Sequence, residues 1–586
     1  MKNFFKILLA SFAGCLIAMA IGTLFLFGLI GSLASFSSKA LPVVPSPAVL
    51  VLNFDSAIVE QKNDLIDPFA TISGTSTRNT GILDFIQGIE RAAEDPAIKF
   101  IYMNLNTLSA GVSHIEEIRS AITKFRESGK PVIAFADNYS QGSYYLATAA
   151  DKVYMMPTGM LMMTGVSVNT LFFKDLLEKA GIEVQLIRHG KFKAAAEQLI
   201  SNQMSPENRE QLQAYVDAVW NTWTDEISKS RNIPAEQIDR MTDNLEITTA
   251  DKVLELKLVD KLMYKDEMLD ELAKLFGVEK EKDIKTISMS DYIRATKKVN
   301  FKEKNKIAVV YADGDIVMGK SDNAISSDYY ANIFSQIRKD STIKAVVLRI
   351  NSPGGDARSA DIIERELTLL KENKPVIVSM GDYAASGGYW IAAKADKIYT
   401  NNTTLTGSIG VFSMVPSVQK ALNKHLSITA HSVSSSDHGD MFSGFRALNE
   451  PEIEYFRASV EQIYTNFINL VAEGRNFTYE EVDEIAQGRV WSGLDAIEVG
   501  LADERGGLVQ AIEYAATASG HESYRLVEYP VRKNQMERLM EMFEQASVYS
   551  EISDIPSLFE KIYSEFKNEA KALNMARLPY NIYLNN

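Results

Sequence analysis

The chain is poor in cysteine: Cys15 is the single one in 586 residues. No disulfide can form within it, and its redox chemistry says nothing about its compartment. It is also poor in histidine. The six, His114, His189, His425, His431, His438 and His521, sit in no recognisable triad motif, although residues distant in sequence can still meet in space. Positive charge falls short as well, with 61 Lys and Arg against 76 Asp and Glu and a formal net charge of −15. That balance argues against a nucleic-acid partner. Finally, no charged residue stands between Lys6 and Lys39.

That last absence marks the N-terminus. Residues 7–33 are apolar or small throughout, longer than the ~20 residues a helix needs to cross a bilayer. Lys2 and Lys6 precede the run, which places the N-terminus in the cytoplasm and all that follows residue 36 on the outer side. A cleaved signal peptide is the alternative, but its apolar region is normally only ~7–15 residues. The expectation is an uncleaved single-pass anchor in a bacterial cytoplasmic membrane, followed by a Ser/Pro-rich connector over residues 37–47.

The chain as a whole has an ordinary globular composition, with 46% hydrophobic and 23% charged residues, and beyond the connector it contains one pattern written twice. Lys130-Pro131-Val132-Ile133 leads to Tyr144-Tyr145-Leu146-Ala147 and Ala150-Asp151-Lys152-Val153. Lys374-Pro375-Val376-Ile377 leads to Tyr389-Trp390-Ile391-Ala392 and Ala395-Asp396-Lys397-Ile398, about 245 residues later. Near-continuous apolar runs at 48–54, 100–106, 307–312 and 345–351 read as parallel strands covered on both faces. Amphipathic helices follow around 114–127 and 360–373, so the class is α/β with right-handed crossovers. Each copy ends in a mainly helical stretch, about 206–275 and 450–516. The spacing predicts a membrane segment and connector over 1–47, a first repeat over 48–278 and a linker over 279–305. A second repeat over 306–530 and a C-terminal helical extension over 531–586 complete the chain. The linker is rich in Lys and Glu and suits an exposed position. The extension has no counterpart after the first repeat and reads either as packing or as an oligomer contact.

The copies differ where chemistry would sit. Ser386, in Ala385-Ser386-Gly387-Gly388-Tyr389, lies between a strand and an apolar helix, with two glycines that allow close backbone approach. The first copy has Gln141 there. An ordinary helix-capping serine is the plain alternative. Asn351-Ser352-Pro353-Gly354-Gly355 follows a buried strand and can aim backbone N–H groups at developing negative charge. It is also good turn chemistry, but the first copy makes the same connection with Thr107-Leu108-Ser109-Ala110. A serine nucleophile needs a base. Lys193 becomes one only if its pKa falls from about 10.4 toward 7, by burial or by the positive charges of Arg188, His189 and Lys191. Alternatively it pairs with Glu197 on a helix surface. The segment Gly190-Lys191-Phe192-Lys193-Ala194 has no match in the second copy, where residues 432–436 stand opposite it.

With these segments, and with Thr406-Gly407-Ser408-Ile409-Gly410, the chain resembles the signal peptide peptidase A family in its long, tandem-repeat bacterial form. The resemblance spans roughly 48–516 and the anchor. It implies two crotonase-like (Clp protease/crotonase) domains and a serine–lysine dyad joined across them. Ser386 matches the family nucleophile and Lys193 the general base. Gly354 matches the oxyanion-hole position, with Gly387 beside it, and Ser408 matches a serine that orients the lysine. The family often has Ser-Ala-Val-Glu-Pro after the lysine, where this chain has Ala194-Ala195-Ala196-Glu197-Gln198. The implied substrates are cleaved signal peptides and other apolar peptides at the outer face of the membrane, and the implied assembly is a homotetramer. No metal or organic cofactor is expected. Two other readings keep the sequence pattern: an acyl-thioester enzyme on the same fold, and a non-catalytic membrane scaffold that binds peptides.

Overall fold

In the computed structural model the described residues are 14, 16–17, 19–21, 41–62, 79–298, 300–521, 523–532 and 575–577. The apolar runs become the parallel strands they were expected to be. In the first repeat Lys261–Leu262, Lys152–Met155, Val132–Ala136, Ile98–Asn104, Ala48–Asn53 and Thr286–Ser288 lie side by side, every pair parallel. In the second the order is Val490–Ser492, Leu405–Gly407, Val376–Ala385, Ile343–Ser352, Lys306–Asp313 and Arg525–Tyr529. Only the outer pair formed by Val490–Ser492 runs antiparallel on this path.

Both faces of each sheet are covered. One face of the first sheet packs under the helix Lys265–Phe276, through Val49, Phe100, Ile133 and Phe135. Its other face shares one continuous core with Ile307, Val309, Val347 and Ile377 of the second sheet. The repeats are thus docked through apolar surface, not tethered side by side. The far face of the second sheet packs on the 26-residue helix Glu450–Arg475, the counterpart of Pro206–Arg231, also 26 residues.

A third, smaller sheet joins the repeats directly. Glu183–His189 of the first pairs antiparallel with Val411–Ser417 of the second, in the register His189 to Val411 and Glu183 to Ser417. On the other side of Val411–Ser417 lies Met575–Arg577, which also pairs antiparallel with Gly354–Asp356.

The stretch 279–305, expected as an exposed linker, is in part built into the fold. Thr286–Ser288 is the edge strand beside Ala48–Asn53, and the helix Met289–Thr296 buries Met289, Tyr292 and Ile293. The Lys/Glu-rich flanks hid an apolar face of helical spacing. The second repeat closes in the same way, with Arg525–Tyr529 beside Lys306–Asp313. The expected membrane span, residues 7–33, lies for the most part outside the described residues. Among the described residues no helix is long and apolar enough to cross a membrane. Of the expected helical extension, 531–586, only 531–532 and 575–577 are described, and the latter three form a strand.

Candidate active site between the repeats

The strand Val376–Ala385 runs parallel to Ile343–Ser352 up to Met380, opposite Ile350, and then slips register so that Ala384 faces Ser352. Beyond the irregularity it pairs with Leu405–Gly407 and delivers Ser386 into a sharp turn, at φ 56° and ψ −115°. A positive φ is strained for a residue with a Cβ. The turn is held by the Ser386 N–H donating to the Gly407 carbonyl at 2.8 Å and the Trp390 N–H donating to the Ser386 carbonyl at 2.9 Å. Gly388 must lack a side chain, because a Cβ there would stand 2.7 Å from the Ser352 carbonyl oxygen. The Ser386 hydroxyl does not cap the one-turn helix Gly387–Trp390 that follows.

Its partner is Lys193. The Nζ lies 2.7 Å from Ser386 Oγ, 2.9 Å from the Ser408 carbonyl oxygen and 3.0 Å from Ser408 Oγ. All three residues are fully buried. Lys193 stands just past the end of Glu183–His189, and the register of that strand against Val411–Ser417 carries it beside Ser408. It is not on a helix, and Glu197 is engaged elsewhere, accepting from the Ser205 N–H and Asn208 Nδ2. Burial pushes the Lys193 ammonium well below its ordinary range. The neighbouring positive charges expected to share in this take no part in it, and Arg188 Nη1 instead donates to the Lys193 carbonyl at 2.8 Å.

The lysine reaches the serine through a passage walled by glycine. A Cβ on Gly488 would come within 2.5 Å of Lys193 Cβ, and one on Gly410 within 3.2 Å of its Cδ. The Phe192 N–H donates to the Gln487 carbonyl, and Gln211 ties the Phe192 carbonyl to the Val490 N–H. Gly488 and Gln211 went unnoticed in the sequence, where a turn glycine and a helical glutamine carry no signal of their own.

Gly354 opens the strand Gly354–Asp356 at φ 101°, and Gly355 follows at φ 157°. The Gly354 N–H is 3.2 Å from Ser352 Oγ. Gly387 begins the turn after the serine. Histidine is absent from the serine's partners: His114, His189, His425 and His438 bond Glu60, Glu461, the Lys179 carbonyl and Glu452. In the first repeat other side chains stand at the matching positions. Gln141 donates to the Gly165 carbonyl and accepts from the Thr164 N–H, and Met163 is buried where Ser408 stands in the second. Residues 432–436, opposite the lysine segment, are exposed.

The profile of Peptidase family S49 matches residues 124–279 and 368–522. Protease 4 of Haemophilus influenzae is 35% identical over 508 residues, covering 83% of this chain and 82% of its own. Protease 4 of Salmonella typhi is 35% identical over 80% of this chain and 77% of its own. The chloroplastic serine protease SPPA of Arabidopsis thaliana is 34% identical over 72% and 64%. These relatives are peptidases by name, which leaves the acyl-thioester and scaffold readings without support. Two family matches, one on each repeat, and relatives similar across most of the length make this chain a serine peptidase of family S49.

Proposed function

We propose that the chain hydrolyses peptides with a serine–lysine dyad, Ser386 as nucleophile and Lys193 as general base. The observation that carries this is the buried contact of Lys193 Nζ with Ser386 Oγ and both oxygens of Ser408. A neutral amine has two N–H groups and one lone pair. The two donors satisfy the Ser408 carbonyl and hydroxyl, and the lone pair is left for the Ser386 proton. Ser386 Oγ then attacks the scissile carbonyl as its proton passes to Nζ. The N–H groups of Gly354 and Gly387 receive the oxyanion. The lysine returns the proton to the leaving amine, and water activated by the same Nζ releases the acyl group. An extended peptide fits as a strand along Gly354–Asp356, the place that Met575–Arg577 takes here.

The substrates are cleaved signal peptides and other apolar peptides. The enzyme sits on the outer face of the cytoplasmic membrane, held in the bilayer by residues 7–33, and assembles as a homotetramer of crotonase-like tandem repeats. The apolar run after Lys2 and Lys6 supports the anchor. The test is intact mass after exposure to a serine-reactive fluorophosphonate. Wild type should gain one adduct, and Ser386→Ala and Lys193→Ala none. Full labelling of Lys193→Ala would remove the dyad.

A further inference from the structure

Beneath the serine turn the repeats meet through buried charged side chains. Arg349, on Ile343–Ser352, is 0% exposed and donates through Nε to Glu60 Oε2 at 2.7 Å and through Nη2 to Glu60 Oε1 at 3.2 Å. The same Nη2 lies 2.8 Å from Glu117 Oε1. Its Nη1 donates to Ser379 Oγ at 2.9 Å and to the Met380 carbonyl at 3.0 Å. Glu60 and Glu117 belong to the first repeat, whereas Arg349, Ser379 and Met380 belong to the second.

Met380 is the last residue before the register slip that aims Ser386. The slipped residues are held from the first repeat and from the strand before the glycine turn. A Cβ on Gly381 would come within 2.5 Å of Glu60 Oε1. Asp382 Oδ1 accepts from the Ser113 N–H and Oγ at 2.8 and 2.7 Å. The Tyr383 N–H donates to Asn351 Oδ1 at 3.2 Å. A slip of this kind re-aims the residues beyond it, and the guanidinium is fastened on its near side to both strands that lead into Gly354 and Ser386.

Stability alone does not call for such a pair, because well-packed apolar residues are often as stable as a buried ion pair. We propose that Glu60 and Arg349 are positioning residues for catalysis: the first repeat, besides supplying Lys193, sets through this pair the angle at which the second presents Ser386 and the Gly354 turn. The proposal rests on the serine–lysine reading above. Neither side chain touches the reacting atoms, so its signature is turnover lost per folded site with peptide binding kept.

The experiment compares wild type, Glu60→Gln and the apolar double variant Glu60→Leu/Arg349→Met. For each, endpoint fluorophosphonate labelling counts folded sites, the labelling rate reports serine alignment, and kcat and KM are taken on an apolar peptide. Expected are near-complete endpoint labelling, a labelling rate and kcat per site lower by at least ~10-fold, and an unchanged KM. A 1 Å misplacement costs up to about 100-fold. If Glu60→Gln does not fold, the double variant, which removes both charges of the pair while Glu117 keeps its bonds from Asn401 Nδ2 and the Leu508 N–H, decides. Variants that label and turn over at the wild-type rate per site overturn the positioning proposal alone. Wild type that never labels overturns the serine–lysine reading and this proposal with it.

Discussion

Lys193 is buried beside Ser386. Burial penalises its charged form, so the folded state binds fewer protons than the unfolded chain over a range below pH 10.5. Stability therefore rises with pH across that range. Lys193→Met has no such dependence, so the stability of wild type relative to Lys193→Met should increase from pH 7 to pH 10. Chemical denaturation at the two pH values checks this, and an unchanged difference would mean that the amine is charged in the folded protein. Gly488 makes a sharper steric prediction. At φ 80°, and with Lys193 Cβ only 2.5 Å from where its own Cβ would lie, Gly488→Ala should cost about 1–3 kcal/mol through strain and overpacking. It should also abolish turnover by moving the lysine. Thermal unfolding and active-site labelling separate the two effects.

Among the elements, Met575–Arg577 completes the sheet between Gly354–Asp356 and Val411–Ser417. If extended substrates take the same edge, deleting residues 575–586 should lower KM for a peptide substrate with kcat unchanged, and an unaltered KM would show that the segment does not compete. The sequence foretold a helical extension here, because spacing of Met, Leu, Phe and Tyr is a local signal and strand pairing with residue 354 is not. The same divide separates what could be read from what could not. The duplication, the buried strands and the odd residues Ser386 and Lys193 were visible because a repeat supplies its own control: Gln141 against serine, and a lysine segment without a twin. The edge strand Thr286–Ser288 was obscured by its charged flanks. Gly488, Gln211 and Arg349 were invisible, since each matters only through a neighbour far away in the chain.

At the scale of the whole molecule, the buried cluster around His114 should make folding stability pH-dependent. Burial pushes its imidazole down, but the charge and hydrogen bond of Glu60 and the charge of Asp382 outweigh this and raise it to about 9. Burial likewise pushes the Glu60 carboxyl up, yet Arg349 and His114 hold it at about 2. The His114 contribution is complete below its unfolded value of about 6.5 and is lost as pH rises through 9. His114→Gln should thus be less stable than wild type at pH 6, and the gap should close by pH 10. A gap that persists unchanged would assign His114 a packing role only. The Glu60 contribution is present above its unfolded value and is lost only as pH falls toward 2, outside that comparison.

Ser386 and Lys193 lie 193 residues apart in the chain, and Gly488, which walls the amine, lies further still toward the C-terminus. A chain lengthening from its N-terminus therefore carries Lys193 long before any serine exists for it. Even when residue 386 has been made, the wall of the passage is another hundred or so residues away. Under the dyad proposed above, synthesis itself acts as a clock: the capacity to cut can appear only when nearly the whole second repeat has been made and has closed on the first.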